Sequence, residues 1–251
     1  MDLDALAVFL LIVAMAAVIQ TITGFAMGLI IVAVTTALGL LPILESAAII
    51  SILSMVNTIL VLRSTPQRFD PKLFGWVVLG LIPSLILGFL LLDTFSAVLD
   101  TALKFVLGVM VVVAGVVMML SPAPWKTRSS NGSALAVGFL GGFFGGIYSA
   151  AGAPIAFFLY RQPVAVRIIR LTLLAVFFVS TFSRALIGVY FEHFTEAVVL
   201  KTALALPVVI VVSVMLQPAL ARFSDHFVRR LVFLILQAVG FWLIIEPWIS
   251  A

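Results

Sequence analysis

The chain has 251 residues, of which 64% are hydrophobic and only 10% are charged, and its mean hydropathy of +1.34 is far above that of soluble domains. This composition predicts an all-α polytopic membrane protein, and the length leaves no room for a soluble catalytic domain beside roughly six to eight spans. Cysteine is absent, which excludes disulfides, thiolate metal sites and cysteine nucleophiles.

Apolar runs of membrane-spanning character follow one another along the whole sequence. They cover residues 5–40, 44–62, 73–92, 101–120, 134–160, 171–190, 197–220 and 231–249. The residues before the first run lack the basic start of a signal peptide, so we expect this run to remain in the mature protein.

Charged residues sort by sign between these runs. Eleven of the fourteen basic residues lie in the gaps 63–72, 126–128, 161–170 and 222–230, which the positive-inside rule places in the cytoplasm. The other gaps and the two ends are acidic, so both termini are predicted to face outward from a bacterial-type inner (plasma) membrane. Because topology explains the net charge of +4, we expect no nucleic-acid partner.

The run 134–160 is broken by glycine and proline. Gly138, Gly142 and Gly146 put bare backbone along one helical face, where another helix can approach closely. Gly152 and Pro154 then interrupt the helix. Both ends of the run are basic, and at about 1.5 Å per residue it cannot cross a core of about 30 Å twice, so we predict a re-entrant hairpin.

The first run, 5–40, lies between acidic ends and forms either two short spans or a second hairpin that opens outward. Each half of the chain then has a broken or re-entrant hairpin followed by three spans, as two inverted repeats (1–120 and 134–251) joined by a cytoplasmic linker (121–133). Residues 20–30, QTITGFAMGLI, align with residues 145–155, GGIYSAAGAPI, and Pro83 corresponds to Pro207. Inverted repeats with broken helices are typical of secondary transporters.

Polar side chains deep in apolar runs are energetically unfavourable in a bilayer, so each is a candidate for the solute path. Those considered are Gln20, Thr21, Thr23, Ser54, Asn57, Tyr148, Ser149, Ser180, Thr181, Ser183, Arg184, Gln217 and Gln237. Arg184 is either a fixed cation for an anionic solute or a side chain that extends to the outer surface, near Glu192. Asn57 either binds the solute or joins helices by hydrogen bonds.

The residues beside the two breaks form the core of the predicted substrate site. They are Gln20, Thr21, Thr23 and Gly24 at the first break and Tyr148, Ser149 and Gly152 at the second. Helices that begin at such breaks present free amide protons and a partial positive charge to an anion. The alternative is that the hydroxyl groups only satisfy backbone carbonyls at a kink.

Two motifs, residues 20–30 and the glycine-rich stretch from Gly138 through Gly152-Ala153-Pro154, resemble the TauE/SafE family, which includes proposed sulfite and organosulfonate exporters. The resemblance covers nearly the whole chain, with departures at Ala26 and Ala153, where the family often has glycine and an uninterrupted Gly-Pro pair. It implies export of a small sulfur-containing anion from the cytoplasm. Arg170 resembles an arginine of the family and joins the predicted site, unless it is only a positive-inside marker.

No apolar run carries a central Asp or Glu, and an inside-negative potential favours anion efflux by about 2.3 kcal/mol per charge per 100 mV. We therefore expect alternating access, with one hairpin and its spans moving against the other, driven by the substrate gradient and the potential. The alternatives are a carrier for another small carboxylate or oxyanion coupled to H⁺ or Na⁺, or a non-transporting assembly partner. No catalytic residue, cofactor or metal is expected; the partners are a small anion and the lipid bilayer, with a homodimer left open.

Overall fold

A computed structural model describes residues 3–23, 25–63, 69–96, 98–120, 124–216 and 225–249, and within these ranges the chain forms ten α-helices and no strands. In chain order they are α1 (Leu3–Thr23), α2 (Met27–Ala37), α3 (Ile43–Arg63), α4 (Pro71–Phe95), α5 (Asp100–Leu120), α6 (Asn131–Tyr148), α7 (Gly152–Tyr160), α8 (Val166–Tyr190), α9 (Glu196–Leu216) and α10 (Asp225–Ile249). The all-helical prediction is confirmed.

Several helices have the length and composition of membrane spans. Among the described residues, five qualify: α1 over Leu3–Ile22, α3, α4, α8 and α9. The start of α4 shows how local sequence sets a boundary. The Asp70 carboxylate accepts hydrogen bonds from the amides of Lys72 and Leu73, and Pro71 occupies the first helical position, so the helix begins there.

Two interruptions separate α1 from α2 and α6 from α7. The backbone φ is 84° at Ala26 and 53° at Ser149, and this left-handed conformation cannot continue a right-handed helix. Pro154 lies in the first turn of α7, where a missing amide proton breaks no helical hydrogen bond. The proline therefore helps to begin α7, while the turn at Ser149 ends α6.

The residues just before α6 and just after α7 lie side by side. The Trp125 amide donates to the Arg161 carbonyl at 2.6 Å, and the Gln162 side chain is bonded to Ser129 through both its oxygen and its nitrogen, at 3.2 and 2.9 Å. With 18 residues, α6 is about 27 Å long, whereas α7 has only nine residues. The α6–α7 pair is thus a hairpin that consists of one long helix and one short helix.

The closest helix contact is between α4 and α6. A Cβ atom at Gly138, Gly142 or Gly146 would lie 2.0–2.2 Å from a carbonyl oxygen of α4. Gly80 and Gly88 of α4 make the same contact in the other direction, at 2.1 and 2.2 Å from α6 carbonyl oxygens. The two backbones therefore touch, as the glycine spacing predicted for one face of this helix.

Helices α3 and α8 contact each other. Helix α3 also packs on α9, α2 and α1, while α8 packs on α4, α7 and α6. Elsewhere α1 packs on α9, and α5 packs on α10. Both helix breaks are therefore held beside the central α3–α8 pair.

Candidate functional site

A small cavity of about 30 Å³ lies between the two helix breaks, with room for about two water molecules. Its walls comprise residues 25, 26, 28 and 29 at the start of α2, residues 149–153 before and within α7, and the side chains of Gln20, Ser54, Phe177, Ser180 and Thr181. None of these lining residues is charged. The cavity is thus an uncharged chamber, in which a few polar side chains lie among apolar residues that include Phe25 and Phe177.

Two helix N-termini converge on this cavity. Helix α2 begins at Met27 and α7 begins at Gly152, and no side chain caps either helix at the preceding residue. The first-turn amides have no acceptors within their own helix, and each helix start carries a partial positive charge. The two termini together favour an anion in the chamber.

Hydrogen bonds fix the polar side chains at the breaks. The Gln20 oxygen accepts from the Ser54 hydroxyl at 3.1 Å, while its nitrogen donates to the Thr58 hydroxyl at 3.1 Å. The Ser149 hydroxyl donates to the carbonyl of Ala47 at 2.7 Å. A Cβ atom at Gly28 would lie 2.3 Å from the Ser149 carbonyl oxygen, so the breaks meet only because this residue is glycine.

A second polar cluster joins α1, α3, α8 and α9 beside the chamber. The Asn57 nitrogen donates to the hydroxyls of Thr21 and Ser213 at 3.1 and 2.7 Å, and its buried oxygen has no hydrogen-bond partner. The Arg170 guanidinium donates to the Thr21 carbonyl. These residues hold the end of α1 against three other helices and do not line the chamber.

Arg184 and Tyr148 point elsewhere. Arg184 is 1% exposed, its Nε donates to the Gly146 carbonyl at 3.0 Å, and its guanidinium carbon lies 5.3 Å from the centre of the Phe89 ring. A side chain so buried does not extend to the outer surface near Glu192. The Tyr148 hydroxyl donates to the Leu103 carbonyl on α5 at 2.7 Å.

The sequence was compared with known protein families, and the family model described as "Sulfite exporter TauE/SafE" matches residues 9–243. The chain belongs to the TauE/SafE family. A relative from Cupriavidus necator, named "Probable sulfite/organosulfonate exporter TauE", is 33% identical over 232 residues, which cover 92% of this chain and 90% of the relative. No solved structure matches the chain.

Membership of the TauE/SafE family makes this chain a multi-pass membrane transporter rather than an enzyme. Its helix breaks carry the two departures noted in the sequence. Ala26 adopts a left-handed conformation that glycine adopts without strain, and Ala153 sits between Gly152 and Pro154 within the first turn of α7.

The residues predicted for the TauE/SafE substrate site fall into four groups. Lining the chamber are Gln20, Ser149 and Gly152; in the neighbouring cluster are Thr21, Asn57 and Arg170; Tyr148 and Arg184 lie in neither; Gly24 and the side chain of Thr23 lie outside the described residues. Sequence reasoning did not associate Ser54, Ser180 and Thr181 with the breaks. Their only signal was a polar side chain deep in an apolar run.

Proposed function

We propose that this TauE/SafE transporter exports a small sulfur-containing anion, such as sulfite, sulfoacetate or a related sulfonate, by alternating access. The observation that carries the proposal is the convergence of two uncapped helix N-termini on one uncharged cavity whose lining includes polar side chains. The substrate class follows the name of the Cupriavidus necator relative, which is similar over nearly the whole chain.

In this proposal the anion binds between the breaks, against Gln20, Ser149 and Gly152 together with Ser54 and Ser180 or Thr181. Amide and hydroxyl donors can each bind one oxygen of a sulfonate. The volume of about 30 Å³ is smaller than such an anion needs, so the breaks must separate for loading. We assign the cluster of Thr21, Asn57 and Arg170 to the cytoplasmic approach, and Tyr148 to the support of the second break.

We further infer that the ten helices form two inverted repeats, with the boundaries 1–120, 121–133 and 134–251. Two helix starts support this division, because Met27 and Gly152, and Pro71 and Glu196, each differ by 125 in residue number. The packing also supports the division, in which α1, α3 and α4 are equivalent to α6, α8 and α9. Helix α4 packs on α6 and α8, and its equivalent, α9, packs on α1 and α3.

The two ends of the molecule support the predicted topology. One end joins Asp70 to Arg128 at 2.7 Å, near basic loops that we assign to the cytoplasm. The other end joins Glu45 to Lys201 at 2.6 Å and Asp93 to His193 at 2.7 Å. In this arrangement both termini face outward from the plasma membrane.

The test is charge movement by purified protein in proteoliposomes, supplied in turn with sulfite, sulfoacetate, isethionate, sulfate and acetate. We expect a current with a sulfur oxyanion that does not require a proton or sodium gradient, because no charged residue lines the chamber. A current that requires either gradient would favour ion-coupled transport. Absence of electrical and isotopic flux for all five anions would overturn the proposal.

A further inference from the structure

Arg184 has more hydrogen-bond donors than its surroundings accept. A guanidinium carries five N–H groups, and here only Nε has a partner, the Gly146 carbonyl at 3.0 Å. Both terminal nitrogens, Nη1 and Nη2, are buried and have no hydrogen-bond partner among the residues that the structure describes. Arg184 is only 1% exposed. Four of its N–H donors are therefore buried and unused.

The surroundings compensate this cation only in part. The Phe89 ring lies 5.3 Å from the guanidinium carbon and offers its negative face. Among the ion pairs of the described residues, none involves Arg184, and the nearby Asp93 carboxylate is bonded to His193 instead. A buried charge without a counterion is strongly unfavourable, which indicates that a partner is present in another state of the transporter.

The position of Arg184 connects it to the chamber. Ser180, which lines the chamber, lies four residues earlier on α8 and hence on the same helix face. Its hydroxyl oxygen lies 2.9 Å from the place where a Cβ atom of Gly145 would be, and the next residue, Gly146, accepts the Arg184 bond. The guanidinium is therefore one helical turn outward of the chamber, against the end of α6.

A second side chain with an unsatisfied nitrogen, His193, lies on the other side of the Phe89 ring. The His193 ring stacks on Phe89 at a centroid distance of 4.8 Å, and its Nε2 contacts Asp93. The other ring nitrogen, Nδ1, is buried and has no hydrogen-bond partner. Polar groups thus continue from Ser180 through Arg184 to the loop before α9.

We propose that Arg184 is a second anion-binding site, which an oxyanion occupies after it leaves the chamber and before it passes Phe89. The planar guanidinium can bind two oxygens of one sulfonate or sulfite at once. This assignment rests on the proposed function for its direction, from the chamber outward. Its ligand class rests only on the unused donors.

Binding by the purified protein tests the site without requiring transport. Titration calorimetry with isethionate should find two sites in the unmodified chain and one in Arg184→Gln, with the affinity of the remaining site within about twofold. Arg184→Lys should keep the second site at least tenfold weaker, because an ammonium cannot form the paired bonds. Leu186→Ala, at an exposed position two residues after Arg184 on α8, is the control and should leave both sites unchanged.

Transport gives the second measurement. Arg184→Gln should lower the maximal export rate at least tenfold and leave the KM for internal anion within about twofold, since loading at the chamber is unaffected. Without anion, its melting temperature should equal or exceed that of the unmodified chain, because an uncompensated buried charge is removed; this checks the fold.

Each outcome separates the two proposals. Two isethionate sites without flux of any sulfur anion would support the Arg184 site and contradict the exporter. A single isethionate site in the unmodified chain, unchanged in Arg184→Gln and accompanied by normal flux in both, would support the exporter and contradict the Arg184 site. No isethionate binding by the unmodified chain would contradict the second site whatever the flux.

Discussion

Ala26 holds the first break in a conformation that suits glycine better than alanine. Its φ of 84° is left-handed, although the residue is buried and immediately precedes α2. Such a conformation costs an L-residue about 1–2 kcal/mol, and part of that would be recovered by glycine. The strain therefore comes from the alanine methyl group at this position.

We therefore predict that Ala26→Gly stabilises the protein. The expected gain is about 0.5–1 kcal/mol after the greater flexibility of glycine in the unfolded chain is subtracted, or about 1–4 °C in melting temperature for a chain of this size. The control is Ala33→Gly in the middle of α2, which should lower the melting temperature. A lower melting temperature for Ala26→Gly would show that the methyl group contributes more than the strain removes.

Gln20 tests the sign of charge that the chamber accepts. A carboxylate in its place would repel an anion at close range, by about 4 kcal/mol at an effective dielectric constant of about 20. We expect Gln20→Glu to reduce anion export at least tenfold more than Gln20→Met, which has similar length and no charge. Equal rates for the two variants in proteoliposomes would mean that the substrate does not approach this residue.

Neighbouring residues on α1 show why the sequence located the site only approximately. Gln20 and Thr21 both precede the first break, but successive helical residues point about 100° apart. Gln20 consequently faces the chamber, while Thr21 faces Asn57 and Arg170. The sequence predicted that this end of α1 is functional, whereas the rotation of the helix depends on its packing against α3, α8 and α9.

At the level of elements, the α4–α6 contact depends on glycine. A methyl group at Gly142 would lie 2.2 Å from both the carbonyl oxygen of Leu81 and the hydroxyl of Ser84, so the helices would have to separate. The glycine spacing predicted such a face on α6. It could not identify α4 as the partner, because any helix with a matching small-residue face satisfies the same pattern.

We predict that Gly142→Ala destabilises the protein by about 1–3 kcal/mol through overpacking, or by at least about 2 °C in melting temperature. Gly75→Ala is the matched control, since the same methyl group on α4 would meet no atom within 4 Å. That variant should be neutral or up to about 1 kcal/mol more stable. Equal melting temperatures for the two variants would show that the helices separate at no cost.

For the whole molecule, packing defines the units that can move. Helix α4 packs more extensively on α6 than on any other helix, and α1 packs on α9. Movement of residues 1–120 as one body against 134–251 would break both pairs. We therefore group α1, α2, α3 and α9 in one unit and α4, α6, α7 and α8 in the other, with the α3–α8 contact as the interface between the two units.

Two contacts join these units at the breaks. The Ser149 hydroxyl donates a hydrogen bond to the Ala47 carbonyl, and the Arg170 guanidinium donates one to the Thr21 carbonyl. With both contacts made, neither break has separated, which agrees with the small chamber. The sequence indicated paired breaks and a transporter, but the exchange of helices between the halves involves contacts between residues far apart in the sequence, such as Gly80 and Leu135, which no local pattern encodes.

Cross-linking can distinguish movement of the two helix groups from movement of residues 1–120 against 134–251. Introduced cysteines can be used for it, because the chain has none of its own. A short thiol cross-linker applied to Ala47→Cys/Ser149→Cys should stop export by joining the two units, and cleavage of the linker should restore it. The same reagent on Glu45→Cys/Lys201→Cys should spare export, since α3 and α9 belong to one unit in our grouping. Inhibition by both links would instead support movement of the two halves of the sequence.

The α4–α6 contact also affects how the protein is made. Helix α4 is complete at Phe95, but α6 ends only at Tyr148, after α5 has been synthesised. Because chains are synthesised at about 5–20 residues per second, the glycine face of α4 has no partner for several seconds, until α6 emerges from the ribosome. During that interval another small-residue helix could occupy the face, so the order of translation exposes this transporter to incorrect helix pairing before it is complete.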